Sequence, residues 1–298
     1  MSVPIRRTFT RRRVLIGGGL VLGGCVALPA ASAISFFVSN RPDSNVGDLT
    51  FANPLAIPPL LEGEEVDGRR IFDLTLQSGR TRILPDGEAG TWGVNGAFLG
   101  PTLRARRGQT VAMRVHNGLP EPTTLHWHGM HLPAAMDGGP HQMIGVGETW
   151  EPSWTIDQPA ATLWYHPHPH GETARHVYSG IAGLFLLADD ESEGLDLPHA
   201  YGVDDIPLII QDKRFTDDGD LTMDTGSFFQ ELGGGTAFGV LGDTILVNGT
   251  HDPHVEVRRA LTRFRILNGS TARFYNLGFT DDRPFHLIAT ENGLLPGA

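Results

Sequence analysis

The chain has 298 residues, of which 40% are apolar and 19% charged, with 38 glycines and 21 prolines. This composition is that of a folded chain with many turns, and the length exceeds what a single hydrophobic core usually needs, so we expect two domains. The formal charge of −11 argues against a nucleic-acid partner.

The first 33 residues predict an export signal. Residues 10–15 read Thr-Arg-Arg-Arg-Val-Leu, which is typical of a twin-arginine signal, and the apolar stretch 14–28 follows. That stretch is shorter and richer in glycine than a membrane span of about 20 residues. Cleavage after Ala33, or a lipid on Cys25 as the membrane contact, are alternatives, as is a basic N-terminus on a membrane anchor. We therefore expect a location in the periplasm or at the extracytoplasmic cell surface.

Short alternating segments predict β-strands in two consecutive units. Residues 34–60 read as a linker or arm, and the segment 189–202 reads as a boundary between the units. Strands are predicted in the first unit at residues 71–76, 91–96, 109–115, 125–128, 163–166 and 181–187, and in the second at 206–211, 244–247, 255–257, 263–267 and 285–289. The pattern favours an all-β fold of Greek-key β-sandwiches, with domains at 61–190 and 203–298 and the second one incomplete.

Four of the 13 histidines form two His-x-His pairs, His126-Trp127-His128 and His166-Pro167-His168. Residues i and i+2 of a strand point to the same face, so each pair can offer two imidazoles to one cluster. Imidazole suits copper, zinc, iron and nickel, and the spacing alone therefore leaves the metal open.

The sequences around these pairs resemble the first two copper motifs of the multicopper oxidases. The motifs are Leu-His-Trp-His-Gly at 125–129 and Leu-Trp-Tyr-His-Pro-His at 163–168. The resemblance extends over residues 60 to 298 and is nearest to bacterial copper-efflux oxidases, with bilirubin oxidases and spore-coat laccases close by. Further matching segments lie at residues 136–140, 171–175, 180–184, 209–213, 242–249 and 265–269.

The resemblance implies cupredoxin-like domains and a trinuclear copper cluster shared between a first and a third domain. It implies that His126 binds the type-2 copper and that His128, His166 and His168 bind the type-3 pair. The type-1 copper, with its cysteine, belongs to the third domain, which we expect to be absent from this chain. The sole cysteine, Cys25, lies in the predicted export signal.

Asp137 is the predicted catalytic residue of this site. In the family, a carboxylate in the Asp-Gly-Gly-Pro segment, here residues 137–140, lies near the cluster and relays protons to reduced oxygen. A positioned carboxylate is suited to such general-acid work. The alternative is that Asp137 only caps the turn before Gly138.

The resemblance predicts a copper-dependent oxidase that couples oxidation of a donor to the reduction of O2 to water. Cuprous ion is the first expected donor, and phenols or other aromatic donors are the next. The alternative is a protein of the same fold without turnover, either a copper-free envelope scaffold or a copper-binding module.

Overall fold

The computed structural model describes residues 44–224, 239–257, 261–291 and 293–296. All of these residues except Asp224 belong to one structural unit. The predicted export signal and residues 34–43 lie outside the described residues, so the predictions made for them stay predictions. No helix in the described ranges is long and apolar enough to cross a membrane.

Short strands make up most of the regular structure, as the sequence predicts. In chain order the strands are β1 (Asn53–Pro54), β2 (Leu60–Leu61), β3 (Glu64–Val66), β4 (Arg69–Thr81), β5 (Ala89–Val94), β6 (Thr102–Arg106), β7 (Thr110–Gly118), β8 (His126–His128), β9 (Thr149–Trp150), β10 (Ser153–Thr155), β11 (Ala161–His166), β12 (Gly183–Ala188), β13 (Asp205–Phe215), β14 (Leu221–Thr222), β15 (Thr244–Val247), β16 (Thr250–His251), β17 (Pro253–His254), β18 (Arg263–Asn268), β19 (Ala289–Thr290) and β20 (Gly293–Leu294). The helical elements are α1 (Thr173–Ser179), α2 (Asp190–Glu193) and a 3-10 turn at Ala134–Met136.

Two sheets of the first unit pack face to face. One has the order β10-β7-β4-β3, with β5 paired to β4 and β9 to β7, and the other has the order β2-β6-β12-β11-β8. In β4 the side chains of Phe72, Leu74 and Leu76 are fully buried, and they share one core with Leu103 and Phe185 of the second sheet. The alternation along the strands therefore builds a sandwich, because every second side chain enters the space between the sheets.

A third sheet, with the order β14-β13-β15-β16 and with β18 paired to β13, lies against the outer face of the second sheet. Ile209 of β13 packs there against Leu184 and Leu186 of β12. Arg265 of β18 forms two 2.7 Å contacts with the Asp205 carboxylate and donates a third hydrogen bond, also 2.7 Å, to Thr162 of β11. The third sheet is thus fixed to the sandwich by apolar packing and by one guanidinium.

The segment predicted as a linker contains strands and is partly anchored. β1 pairs in parallel with β17, and β2 pairs in parallel with β6. The Asp252 carboxylate accepts a 2.7 Å hydrogen bond from the Thr50 hydroxyl and a 3.1 Å hydrogen bond from the Ala52 amide. The arm therefore contacts the second predicted domain before it enters the first, while the domain boundaries themselves stay predictions.

Two strand predictions in the second unit are wrong. Residues 255–257 have no regular structure, and of residues 285–289 only Ala289 is in a strand. The segments read Val-Glu-Val at 255–257 and Phe-His-Leu-Ile-Ala at 285–289, and side chains such as Val257 and Phe285 are exposed. Alternation predicts a strand only where a neighbouring strand is available for pairing, and these segments have none in the described structure.

Candidate metal centre

The two His-x-His pairs lie on neighbouring strands. β8 and β11 pair in an antiparallel manner, with His166 opposite His126 and Trp164 opposite His128. Directly opposite residues point to the same face of a sheet, so these four side chains share one face. Trp127 and Tyr165 point to the other face and are buried in the sandwich core.

Three of the four predicted ligands come closest together. One ring nitrogen from each of His126, His128 and His166 lies within 4.8 Å of the other two. His168 follows the end of β11, and its ring centroid lies 5.4 Å from that of His126 and 5.9 Å from that of His166. Its amide donates a 2.7 Å hydrogen bond to the Thr124 hydroxyl, which fixes the backbone beside the cluster. The structure thus brings all four imidazoles together, with His168 at the rim.

Backbone carbonyls orient two of the rings. Nδ1 of His126 donates to the Asp137 carbonyl at 2.9 Å, and Nδ1 of His166 donates to the Pro167 carbonyl at 2.8 Å. A ring that donates through Nδ1 keeps the lone pair of Nε2 for a metal ion, and such outer contacts fix both the tautomer and the ring direction.

Burial keeps the inner imidazoles neutral. His166 is 5% exposed, and burial lowers its pKa from the ordinary value to about 3. Burial also lowers the pKa of His126. Desolvation disfavours the charged form of an imidazole, and only the neutral form binds a metal ion. The indole of Trp164 stacks on His166 with ring centroids 4.0 Å apart, which shields this ring further.

Asp137 lies beside the cluster, and its backbone contacts are clearer than those of its side chain. Its carbonyl accepts hydrogen bonds from His126 Nδ1 and from the Trp127 amide, the latter at 3.3 Å. One carboxylate oxygen lies 3.3 Å from the same His126 nitrogen. The next residue, Gly138, has φ +73°, and a Cβ there would lie 1.8 Å from the Leu125 carbonyl oxygen. The segment therefore positions His126, and the proton-relay role of Asp137 stays a prediction.

The sequence did not reveal that Glu291 contacts the cluster. Glu291 lies in the hairpin β19–β20, and its Oε1 lies 2.5 Å from Nε2 of His128. No local motif marks this residue, because the contact depends on how a hairpin far along the chain packs against β11. Thr124 was missed for a similar reason, since its role depends on the strand pairing.

The curated relatives that match this chain are named for cell division. The chain is 40% identical to "Cell division protein FtsP" of Xenorhabdus nematophila, over 89% of this chain and 54% of that protein. It is 44% identical to the protein of the same name from Edwardsiella tarda, over 81% and 49% of the two chains. The match to the Escherichia coli protein is 38% identical and covers 97% of this chain and 56% of that one. The chain thus spans about half the length of the curated relatives it matches.

These relatives overturn the predicted function. The sequence predicted an oxidase, and a copper-dependent oxidoreductase in particular, whereas these three curated relatives, which match most of the chain, are named for cell division. The physical reason is that histidine ligands mark a site that can hold metal, but turnover also requires a route for electrons and a donor site. A shared fold with shared ligands does not imply shared turnover.

The fold and the family are nevertheless those that the sequence indicated. A family model described as "Multicopper oxidase" matches residues 76–192. The laccase-like multi-copper oxidase CueO from Ochrobactrum sp. superposes with a TM-score of 0.74 and 42% identity, over 81% of this chain and 52% of that chain. A laccase from Pediococcus acidilactici superposes with a TM-score of 0.76 and 37% identity, over 86% and 56%. These likenesses confirm the predicted tandem cupredoxin-like β-sandwiches. The chain is therefore similar to the multicopper oxidases, in sequence over residues 76–192 and in fold.

Proposed function

We propose that this chain is part of a non-enzymatic envelope protein that acts in cell division. The observation that carries the proposal is the 38–44% identity to proteins named "Cell division protein FtsP", over 81–97% of the chain. The predicted export signal fits a location in the periplasm, where such a protein would act as a scaffold rather than as a catalyst.

The fold suits a scaffold because it presents rigid sheets with exposed apolar side chains. Phe264 and Ile266 point outward from β18, with 37% and 47% of their surfaces exposed. Phe274, Phe279 and Phe285 follow in the same region and are also exposed. Apolar side chains grouped in this way are typical of surfaces that contact another protein or another part of the same protein.

Enrichment of the full-length protein at the division site tests the proposal. A fusion to a fluorescent protein that is exported in the folded state should concentrate at the septum of dividing cells. The purified, copper-loaded full-length protein should consume O2 with phenolic donors no faster than buffer that contains the same copper. A uniform envelope signal, or sustained O2 uptake, would contradict the proposal.

A second function is favoured by the histidine cluster, namely copper binding without turnover. His126, His128, His166 and His168 fit copper because their imidazoles converge on one site, and imidazole is a copper ligand. As the family resemblance implies, His126 would hold a type-2 ion and the other three a type-3 pair. Bound copper would add charge and rigidity at this end of the sandwich.

Equilibrium dialysis of the full-length protein against cupric ion tests the copper site. His166→Ala should lose at least one bound copper and alter the copper electron paramagnetic resonance signal, whereas His199→Ala, an exposed histidine away from the cluster, should leave both unchanged. Equal copper content in the two variants would exclude the cluster as the site.

A further inference from the structure

A cavity of 420 Å³ lies between the first sandwich and the third sheet. Its walls come from β11 and β12, from the segment that contains α2, from β18 and from the hairpin β19–β20. Pockets that hold small molecules usually measure about 300 to 1,000 Å³. The cavity is separate from the histidine cluster, because none of the four histidines lines it.

One charged side chain in this cavity lacks a partner. Arg263 lines the cavity, and within the described structure its side chain takes part in no hydrogen bond or ion pair. Burial lowers the pKa of this guanidinium from its ordinary value, and the nearby Arg265 lowers it further. The nearby Asp205 carboxylate opposes this lowering, but it is held by Arg265 and forms no ion pair with Arg263. A desolvated cation without an ion-pair partner is costly, so an anion beside Arg263 would be stabilising.

Most other charges of the cavity are already engaged, and the carboxylate of Asp196 is exposed at its wall. Asp205 is held by Arg265 through both carboxylate oxygens. Arg104 lies 3.5 Å from the Glu62 carboxylate, and Glu193 pairs with Arg106. Among the described lining residues, Arg263 is the guanidinium without an ion pair, and the carboxylates of Glu193, Asp196 and Asp205 in the same lining disfavour a ligand with more than one negative charge.

The rest of the cavity wall favours an apolar body behind that charge. Alanines and leucines line it around the arginine, including Ala160, Ala188, Leu195, Leu197 and Leu294. Apolar walls with a single polar anchor orient a ligand whose one end is charged and whose remainder is aliphatic.

We propose that this cavity binds an aliphatic carboxylate, with the carboxylate on Arg263 and the hydrocarbon against the leucines. The ligand is either a free short-chain monocarboxylate or the C-terminal residue of a peptide, because both present the same chemistry. The cavity would then give the protein a binding function independent of the copper site.

Isothermal titration of the full-length protein tests the proposal with hexanoate, with acetyl-Ala-Leu as the free acid, with the same peptide as its C-terminal amide, and with inorganic phosphate alone. At least one of the two carboxylates should bind with a stoichiometry of one. The tighter of them shows whether the ligand is a free monocarboxylate or the C-terminus of a peptide. The amide and phosphate should bind at least about tenfold more weakly, as expected when one charge-assisted hydrogen bond is lost.

Two variants on opposite walls keep the test independent of folding. Arg263→Met should weaken carboxylate binding at least about tenfold, and Ala188→Phe should abolish it by filling the cavity. Arg283→Met is the matched control, because Arg283 is exposed, pairs with Asp281 and does not line the cavity. The proposal is overturned if neither carboxylate binds, if the amide or phosphate binds as tightly, or if Arg263→Met binds like the control in a protein with an unchanged unfolding temperature.

Discussion

At the scale of single residues, the histidine cluster depends on backbone positions as much as on the imidazoles. His126 receives its orientation from the Asp137 carbonyl, and His168 is fixed through the Thr124 hydroxyl. The loop that carries Asp137 approaches β8 so closely that only glycine fits at position 138. The copper site should therefore be sensitive to changes that leave every ligand in place.

Gly138→Ala should weaken copper binding at least about tenfold, because a displaced Asp137 carbonyl no longer orients the His126 ring. Dialysis against cupric ion measures the effect. Gly139→Ala is the matched control, since a Cβ at Gly139 would have its nearest contact at 3.5 Å. Copper affinities that are equal in the two variants would show that the loop does not position the cluster.

Lys213 is a buried residue whose surroundings disfavour the positive charge of its side chain. It is 1% exposed, its Nζ donates a 2.7 Å hydrogen bond to the Tyr178 carbonyl, and the Tyr178 ring centroid lies 4.2 Å away. Burial lowers its pKa from 10.5 to about 7. Between these two values the unfolded chain holds a proton that the folded chain has lost, so this residue makes stability rise with pH across that window and leaves it flat below about pH 7.

Lys213→Met should stabilise the protein at pH 7 by about 1 kcal/mol or more, since replacing a buried charge with an apolar side chain is often stabilising. It should also flatten the rise in the free energy of unfolding between pH 7 and pH 10. Denaturant unfolding at several pH values measures both, with Arg82→Met as an exposed control. A variant that is less stable at pH 7, with the slope intact, would refute this account.

At the scale of elements, the sequence predicted most strands of the first unit and the ligand pairs, because alternation and the i, i+2 spacing are local properties. It did not predict the pairing of β1 with β17 or the contact of Glu291 with His128, which join segments far apart in the chain. The wrong strand predictions, at residues 255–257 and 285–288, fall on segments without a pairing strand in the described structure.

One turn illustrates how a local signal acquires a long-range role. Asn248 and Gly249 both have positive φ, as a two-residue hairpin turn between β15 and β16 requires. The buried Asn248 side chain also accepts from the Ile209 amide at 2.7 Å and donates to the Ala56 carbonyl at 2.8 Å. The turn thereby fastens the N-terminal arm to the third sheet.

Asn248→Ala should destabilise the protein by about 2 to 4 kcal/mol, because it leaves several buried backbone groups without partners and places alanine at positive φ. Thermal or denaturant unfolding measures the loss. Asp243→Ala, an exposed substitution just before β15, should change stability by less than about 0.5 kcal/mol. Similar losses in both variants would mean that the arm is not held through Asn248.

At the scale of the whole molecule, the presence of the histidine ligands does not decide the function. The chain is similar to the multicopper oxidases and has four converging histidines, yet curated relatives that match most of it are named for cell division. On the function proposed above, the exposed apolar region would serve a scaffold whether or not copper is bound. Bound copper would then take part in no reaction, so the division role would not need the histidines to turn over O2.

Septum spacing in the host tests most directly whether the division role is independent of the four histidines. The chromosomal gene is deleted or replaced by full-length alleles that encode either the native protein or a variant in which His126, His128, His166 and His168 are all alanine. We predict longer cells after deletion and normal septum spacing with both alleles. Normal division of the deletion strain, or failure of the histidine variant at a protein level equal to that of the native allele, would contradict a non-enzymatic division scaffold.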